Sequence, residues 1–320
     1  MTKEDLRIVF MGTPEFAVET LQALMDNGYN VVAVVTQPDK PVGRHQTEMQ
    51  PSAVKQYAVA HGLPVLQPVK MKDPEFVDQL RAYSANLQVV VAFRMLPEVI
   101  WAMPEYGTFN VHAALLPQYR GAAPINWAVI NGETQTGVTT FFLDHDIDTG
   151  RIIMKKTFDI PDDADVEYVY GGLMHLGAQI CLETLDTIVA ADGHPASIPQ
   201  EDVADLKPAP KIFKETCEVD WSKTAKQVYD FVRGLSPYPG AWTTLVFPDG
   251  KETIMKIYKT HKTGRKGQGI GVLNLDGKTL CISAADEQLE IVELQLAGKK
   301  RMQTHDFLNG MKDIELCRVK

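Results

Sequence analysis

A chain of 320 residues is longer than a single hydrophobic core ordinarily supports, so its length implies two domains. It is 45% apolar and 23% charged, as globular proteins are, and contains no apolar run near the ~20 residues that a membrane-spanning helix requires. The net charge of −9 excludes a uniformly basic nucleic-acid binder, and the start, Thr2-Lys3-Glu4-Asp5, lacks the basic and long apolar pattern of a secretory leader, so the expected location is the cytoplasm.

Residues 6–10 form an apolar run of strand type, followed by Gly12-Thr13-Pro14. Thr13 suits a helix cap and Pro14 the first helical position. Val18, Leu21, Leu24 and Met25 recur at helical spacing until Gly28, and residues 31–35 read as a second buried strand. The alternation continues through a helix over 52–61, another opening at Asp73-Pro74, strands over 87–93 and 108–111, a helix over 124–130 and a strand over 138–143. Such alternation predicts an α/β fold: a Rossmann-like, mostly parallel sheet with helices on both faces, whose ligands sit beyond the carboxyl ends of the strands. A long helix is expected over 166–190. Residues 192–210 then carry Gly193, Pro195, Pro199, Pro208 and Pro210 among polar residues and read as a linker. After a helix over 222–234, short apolar runs (241–247, 253–258, 270–275, 279–283 and 289–295) alternate with turn signals such as Pro248-Asp249-Gly250 and Asp276-Gly277. That spacing predicts a small β-barrel or sandwich, and an OB-like β-barrel is the form expected. The expected organisation is thus a domain over 1–190, a linker over 191–210 and a C-terminal barrel over 211–320.

Charge is distributed unevenly between these parts. From Leu206 onward there are 19 basic and 14 acidic residues, against 13 and 27 before it. A basic last part suggests contact with an anion, though so small an excess is equally compatible with ordinary solvated surface.

Three segments have the residue types that chemistry needs. The Gly12-Thr13-Pro14 loop has one glycine and a proline where a dinucleotide-binding fold has G-x-G-x-x-G, which disfavours a nicotinamide dehydrogenase. Asn110 and His112 are two apart at a strand end, so an amide donor and an imidazole share one face; a hydrogen-bonded pair tying down a loop is the plainer reading of that pair alone. Asp144, Asp146 and Asp148 crowd the next loop, where one aspartate could orient a histidine. A hard-cation site is the alternative, but no further acid completes a calcium loop and Ile147 interrupts it, so no metal is expected. Solvated turn carboxylates are a further alternative. The cysteines, Cys181, Cys217, Cys281 and Cys317, are far apart in sequence and read as reduced structural thiols.

Several motifs occur in an order that resembles the methionyl-tRNA formyltransferase family over nearly the whole chain. These are residues 9–18, Asn110-x-His112 with the segment 115–124 (Leu-Leu-Pro-x-Tyr-Arg-Gly-Ala-Ala-Pro), Asp148-Thr149-Gly150, Val219-Asp220-Trp221, the segment 236–242 (Ser-Pro-Tyr-Pro-Gly-Ala-Trp), Gly298-Lys299-Lys300 and residues 306–310. The resemblance implies formyl transfer from 10-formyltetrahydrofolate to the amino group of charged initiator tRNA, for translation initiation. It implies Asn110 as oxyanion donor, His112 as acid–base group and Asp148 as its orienting partner. The folate is expected against Phe93, Arg94, Met95 and Leu96, the run Ala114, Leu115, Leu116 and Pro117, and Asp146. Gly43 and Arg44 correspond to a loop that enters the tRNA acceptor stem, and Lys211, Lys299 and Lys300 are candidates for backbone contacts on the barrel. A monomer is expected, with no membrane partner. The chain departs from the family at Ala114, where serine is usual, at Arg94, where glycine is frequent, and at Asp146 and Arg151 in the aspartate loop. Competing readings are a formyltransferase acting on a nucleotide sugar or a glycinamide ribotide, a formylfolate hydrolase, a dehydrogenase, and a non-catalytic RNA-binding module.

Overall fold

The structure is a computed structural model and describes residues 1–42, 48–311 and 314–320. It divides into two compact units, of which the first comprises residues 1–121, 135–159 and 170–208, and the second 122–134, 160–169 and 209–320.

The first unit is built on one seven-stranded sheet. In chain order its neighbourhood contains β1 (Arg7–Gly12), α1 (Glu15–Asp26), β2 (Asn30–Val35), a small hairpin of β3 (Lys40–Val42) and β4 (Glu48–Gln50), α2 (Ala53–Ala60), β5 (Val65–Leu66), α3 (Pro74–Ala82), β6 (Leu87–Val91), α4 (Glu98–Trp101) and β7 (Thr108–His112). After α5 (Pro124–Ile130), which belongs to the second unit, come β8 (Gln135–Phe142), β9 (Ile152–Asp159) and the long α6 (Val166–Ala190), which joins the first unit from Tyr170 onward. The strand order is β5-β2-β1-β6-β7-β8-β9. The first five strands run parallel, as the βα alternation predicts, while β8 and β9 are antiparallel additions. Every residue of β6 is buried, as expected of a parallel strand covered on both faces. Val9, Met11, Ala33, Val35, Phe76, Leu80, Val90 and Ile100 form one continuous core layer. Because the chain moves outward from β1 to β2 and β5, then crosses to β6 and β7, the order reverses between β1 and β6. Ligand sites in open sheets of this kind lie beyond the carboxyl ends at such a reversal.

The second unit contains α7 (Ala225–Leu235), β10 (Ala241–Val246), β11 (Glu252–Lys266), β12 (Leu273–Asp276), β13 (Thr279–Ser283), β14 (Glu287–Leu296), β15 (Met302–Gln303), α8 (Thr304–Gly310) and β16 (Arg318–Val319). Its strands follow the order β12-β13-β14-β11-β10-β16, all antiparallel. A bridge between Val272 and Arg318 brings the last strand back to the first and closes the barrel. Trp221, Val228, Val232, Leu235, Leu245, Met255, Ile257, Leu280, Ile291 and Leu294 fill its interior. Within this unit α5 packs so tightly on α7 that a Cβ on Gly234 would stand 2.6 Å from Ile130 Cγ1.

Some expected details differ. Strand 87–93 ends at Val91, because Ala92 adopts φ +47 and turns the chain before Phe93. Thr13 does not cap α1; Pro14 occupies the cap position, and the Thr13 hydroxyl is buried with no partner among the described residues. Strand β9 has no counterpart in the sequence reading, and β11 is 15 residues long where 253–258 is expected. Among the described residues no helix is long and apolar enough to cross a membrane.

Candidate active site

Strand β7 lies between β6 and β8, with Asn110 paired to Val90 on one side and Phe141 on the other. The amide oxygen of Asn110 is buried and has no hydrogen-bond partner among the described residues. A buried acceptor without a donor is costly in a finished fold, so this atom points to a position that a ligand completes.

His112 ends the same strand and is 6% exposed. Its Nε2 stands 2.9 Å from the Tyr119 carbonyl oxygen. A carbonyl can only accept, so the proton of the neutral ring lies on Nε2 and the lone pair on Nδ1. Nδ1 in turn faces Asp148 Oδ2 at 3.9 Å, too far for a hydrogen bond and close enough for strong charge interaction. The ring therefore owes its orientation to the Tyr119 carbonyl, with the carboxylate beside it. Its edge-on contact with Phe141, centroids 6.3 Å apart, forms the remaining wall.

Asp148 sits in a left-handed conformation, φ +56, and its Oδ2 accepts from the Gly121 N–H at 2.9 Å. A Cβ at Gly150 would fall 1.7 Å from the Phe142 carbonyl oxygen, so only glycine fits there. Asp144 Oδ1 accepts from the Thr149 hydroxyl at 2.7 Å and the Asp146 N–H at 3.3 Å, which makes Asp144 a loop staple. No group of three or more histidine, cysteine, aspartate or glutamate side chains suited to a metal occurs among the described residues.

The residues expected to meet folate occupy the loops after β6, β7 and β8. Met95 is 70% exposed and Leu96 buried, with Phe93 between the two. The Arg94 side chain reaches the segment after β5, donating to the carbonyls of Val69 and Pro68, and desolvation pushes its pKa down. Ala114 and Leu116 are buried and held by Thr139, whose hydroxyl donates to Ala114 O at 2.7 Å and accepts from Leu116 N at 3.1 Å. Leu115 and Pro117 are partly exposed, Pro117 follows a cis peptide bond, and Asp146 is exposed. Gly43 and Arg44 lie outside the described residues. Lys211, Lys299 and Lys300 are exposed in the second unit, Lys211 with its ammonium 5.4 Å from the Phe213 ring centre. Sequence reasoning missed Tyr119, Thr139, Arg120 and Gln200. Each acts through a backbone atom or a distant carboxamide, and no local spacing announces such contacts.

Residues 6–185 match the family model described as formyl transferase, and residues 211–312 match the one described as formyl transferase, C-terminal domain. The chain belongs to the formyl transferase family. Over 320 residues it is 59% identical to the methionyl-tRNA formyltransferase of Parabacteroides distasonis, with 98% of each chain covered. Among solved structures it is similar to HypX from Aquifex aeolicus in complex with tetrahydrofolic acid, with a TM-score of 0.61 and 20% identity, covering 95% of this chain and 47% of that one. It is also similar to WlaRD, a sugar 3N-formyl transferase, with a TM-score of 0.66 and 17% identity, over 92% of this chain and 99% of that one. These two likenesses bear on the fold alone.

Proposed function

We propose that this chain transfers the formyl group of 10-formyltetrahydrofolate to the amino group of methionyl-initiator tRNA. The observation that carries this reading is the near-complete, 59% identical match to a methionyl-tRNA formyltransferase, both domains included. The reading assigns residues 1–190 to catalysis, 191–210 to a linker and 211–320 to tRNA binding, in a monomer that works in the cytoplasm.

When bound, the folate supplies the formyl carbon to which the amine adds and from which the folate nitrogen departs. In this reading Asn110 donates from its carboxamide to the formyl oxygen as that oxygen gains negative charge. Its unpartnered Oδ1 suits a donor on the incoming amine or on the folate. His112 takes the amine proton on Nδ1, the nitrogen left basic by the Nε2–Tyr119 contact, and returns it to the departing folate nitrogen. Asp148, 3.9 Å away, stabilises the resulting imidazolium. Near-complete burial of the ring keeps water from competing for that nitrogen. The loop over Phe93, Arg94, Met95 and Leu96, the run Ala114 to Pro117 and Asp146 offer mainly backbone groups to the pterin. Arg94 enters there through its main chain, since its side chain is engaged at residues 68–69. Gly43 and Arg44 are assigned to the acceptor stem, and Lys211, Lys299 and Lys300 to the tRNA backbone.

The test is single-turnover formyl transfer, comparing charged initiator methionyl-tRNA, uncharged tRNA and free methionine. Transfer confined to the charged tRNA supports the reading. Folate binding without transfer to any of the three would redirect it to an amino-sugar acceptor or to hydrolysis.

A further inference from the structure

Between the two units' named motifs lies the stretch 191–210, which the sequence presents as a linker. Part of it is folded against the candidate site. Ile198 pairs with Ile152 through two backbone hydrogen bonds of 2.8 and 2.9 Å. Arg151 donates through Nε to the Ser197 hydroxyl at 3.0 Å and through its guanidinium to the Ser197 carbonyl. These attachments deliver Gln200 to the back of the aspartate loop. There its Nε2 donates to two carbonyls at once, Asp148 O at 2.8 Å and Gly150 O at 2.9 Å. Its Oε1 accepts from Arg120 Nε at 3.1 Å and Nη2 at 2.7 Å.

The connections form a closed circuit. Arg120 holds Gln200, Gln200 holds the main chain of Asp148, the Asp148 carboxylate accepts from Gly121, and Gly121 is the neighbour of Arg120 in the chain. The circuit therefore locks the loop after β7 to the loop after β8, the two loops from which Tyr119 and Asp148 reach His112. Asp148 needs such support. An aspartate at φ +56 is in a region that L-residues populate sparsely, and it persists where surrounding bonds over-determine it. Its carboxylate makes no direct hydrogen bond to the imidazole, so nothing on the histidine side fixes its distance.

We propose that Gln200, carried in by the supposed linker and clamped by Arg120, is the positioning residue for Asp148. It touches no reacting atom; it sets the spacing between the carboxylate and His112. This rests on the proposed formyl transfer for its kinetic consequence, though not for its structural one.

Three variants test it in the full-length protein: Gln200→Ala, Gln200→Glu, which keeps the acceptor for Arg120 but loses the two N–H donations, and Gln200→Ala combined with Asp148→Asn. Gln200→Ala and Gln200→Glu are each expected to lower kcat about ten- to a hundredfold, with KM for folate and for tRNA within about threefold of the parent. Adding Gln200→Ala to Asp148→Asn should cost less than about twofold more, since both changes act through one carboxylate. A purely structural role would instead give additive losses, or a Gln200→Glu protein with full kcat, and either overturns the proposal. Amide hydrogen exchange supplies a readout independent of turnover: the Gly121 N–H should exchange at least about tenfold faster in Gln200→Ala while barrel amides keep their rates. If that rate is unchanged the clamp is wrong. If the parent transfers no formyl group but Gln200→Ala still frees Gly121, the assigned reaction fails and the clamp stands.

Discussion

His112 is held by a carbonyl on one nitrogen and watched by a carboxylate on the other, and this asymmetry divides the labour among the three central side chains. His112→Ala, Asn110→Ala and Asp148→Ala are each expected to reduce single-turnover transfer at least about a hundredfold while near-ultraviolet circular dichroism shows a folded protein. A His112→Ala enzyme with parental turnover would remove the imidazole from the chemistry. Gly150→Ala should be destabilising on its own, because the added methyl meets the Phe142 carbonyl; about 1–3 kcal/mol is expected from denaturant unfolding. Arg94 gives the opposite expectation. Its guanidinium serves residues 68 and 69, so Arg94→Ala should leave the folate KM within about threefold of the parent yet lower the melting temperature. At this scale the sequence was informative where chemistry depends on spacing along one strand, as for Asn110 and His112. It gave no sign of Gln200 and no role to Arg120 and Tyr119 within their motif, because their contributions run through main-chain carbonyls or across about 80 residues.

Elements read most clearly where burial is one-sided or complete. The apolar runs of β1, β2 and β6 and the capped helices stand out for that reason, whereas β9 is an edge strand whose short apolar start is broken by the adjacent Lys155 and Lys156, and it gives a weak signal. Strand β11 extends to Lys266 through a polar stretch because β14 pairs with it along nearly its full length, and a partner so far along the chain leaves no local mark. The start of α7 shows how two distant parts can share one cap. Thr224 and Gln227 form a capping box, while Asp286 Oδ1 accepts from Ala225 N at 2.7 Å. That bond, with a second from the Glu287 N–H, holds the Asp286 carboxyl below its ordinary value of 3.8. A depressed folded-state pKa means that this contribution is present above the ordinary value and disappears as pH falls through the folded one. Asp286→Ala should therefore unfold at lower urea concentration than the parent at pH 7, and the gap should narrow below about pH 4. A gap that stays constant with pH would show that the carboxylate contributes no charge-dependent capping.

For the molecule as a whole, net charge conceals the feature that matters for an anionic partner: the excess of acid lies before Leu206 and the excess of base after it. Lys299 and Lys300 are exposed, with no ion pair among the described residues, so both are available to phosphates. Replacing both by alanine should weaken tRNA binding and reduce the slope of log affinity against log salt by about 1–2, read from binding titrations at several salt concentrations. An unchanged slope would assign the contacts elsewhere.

The makeup of the second unit carries a consequence for how the chain comes to be folded. Its residues are made in three instalments, 122–134, 160–169 and 209–320, with β8 and β9 synthesised in the first interval and most of α6 in the second. No single cut releases it. A fragment starting at residue 211 would leave α5 behind and expose the face of α7 around Gly234 that Ile130 covers, so it should aggregate where the intact chain does not. During synthesis the helix 124–130 leaves the ribosome roughly a hundred residues before α7 exists to receive it, and must be sheltered or idle until then.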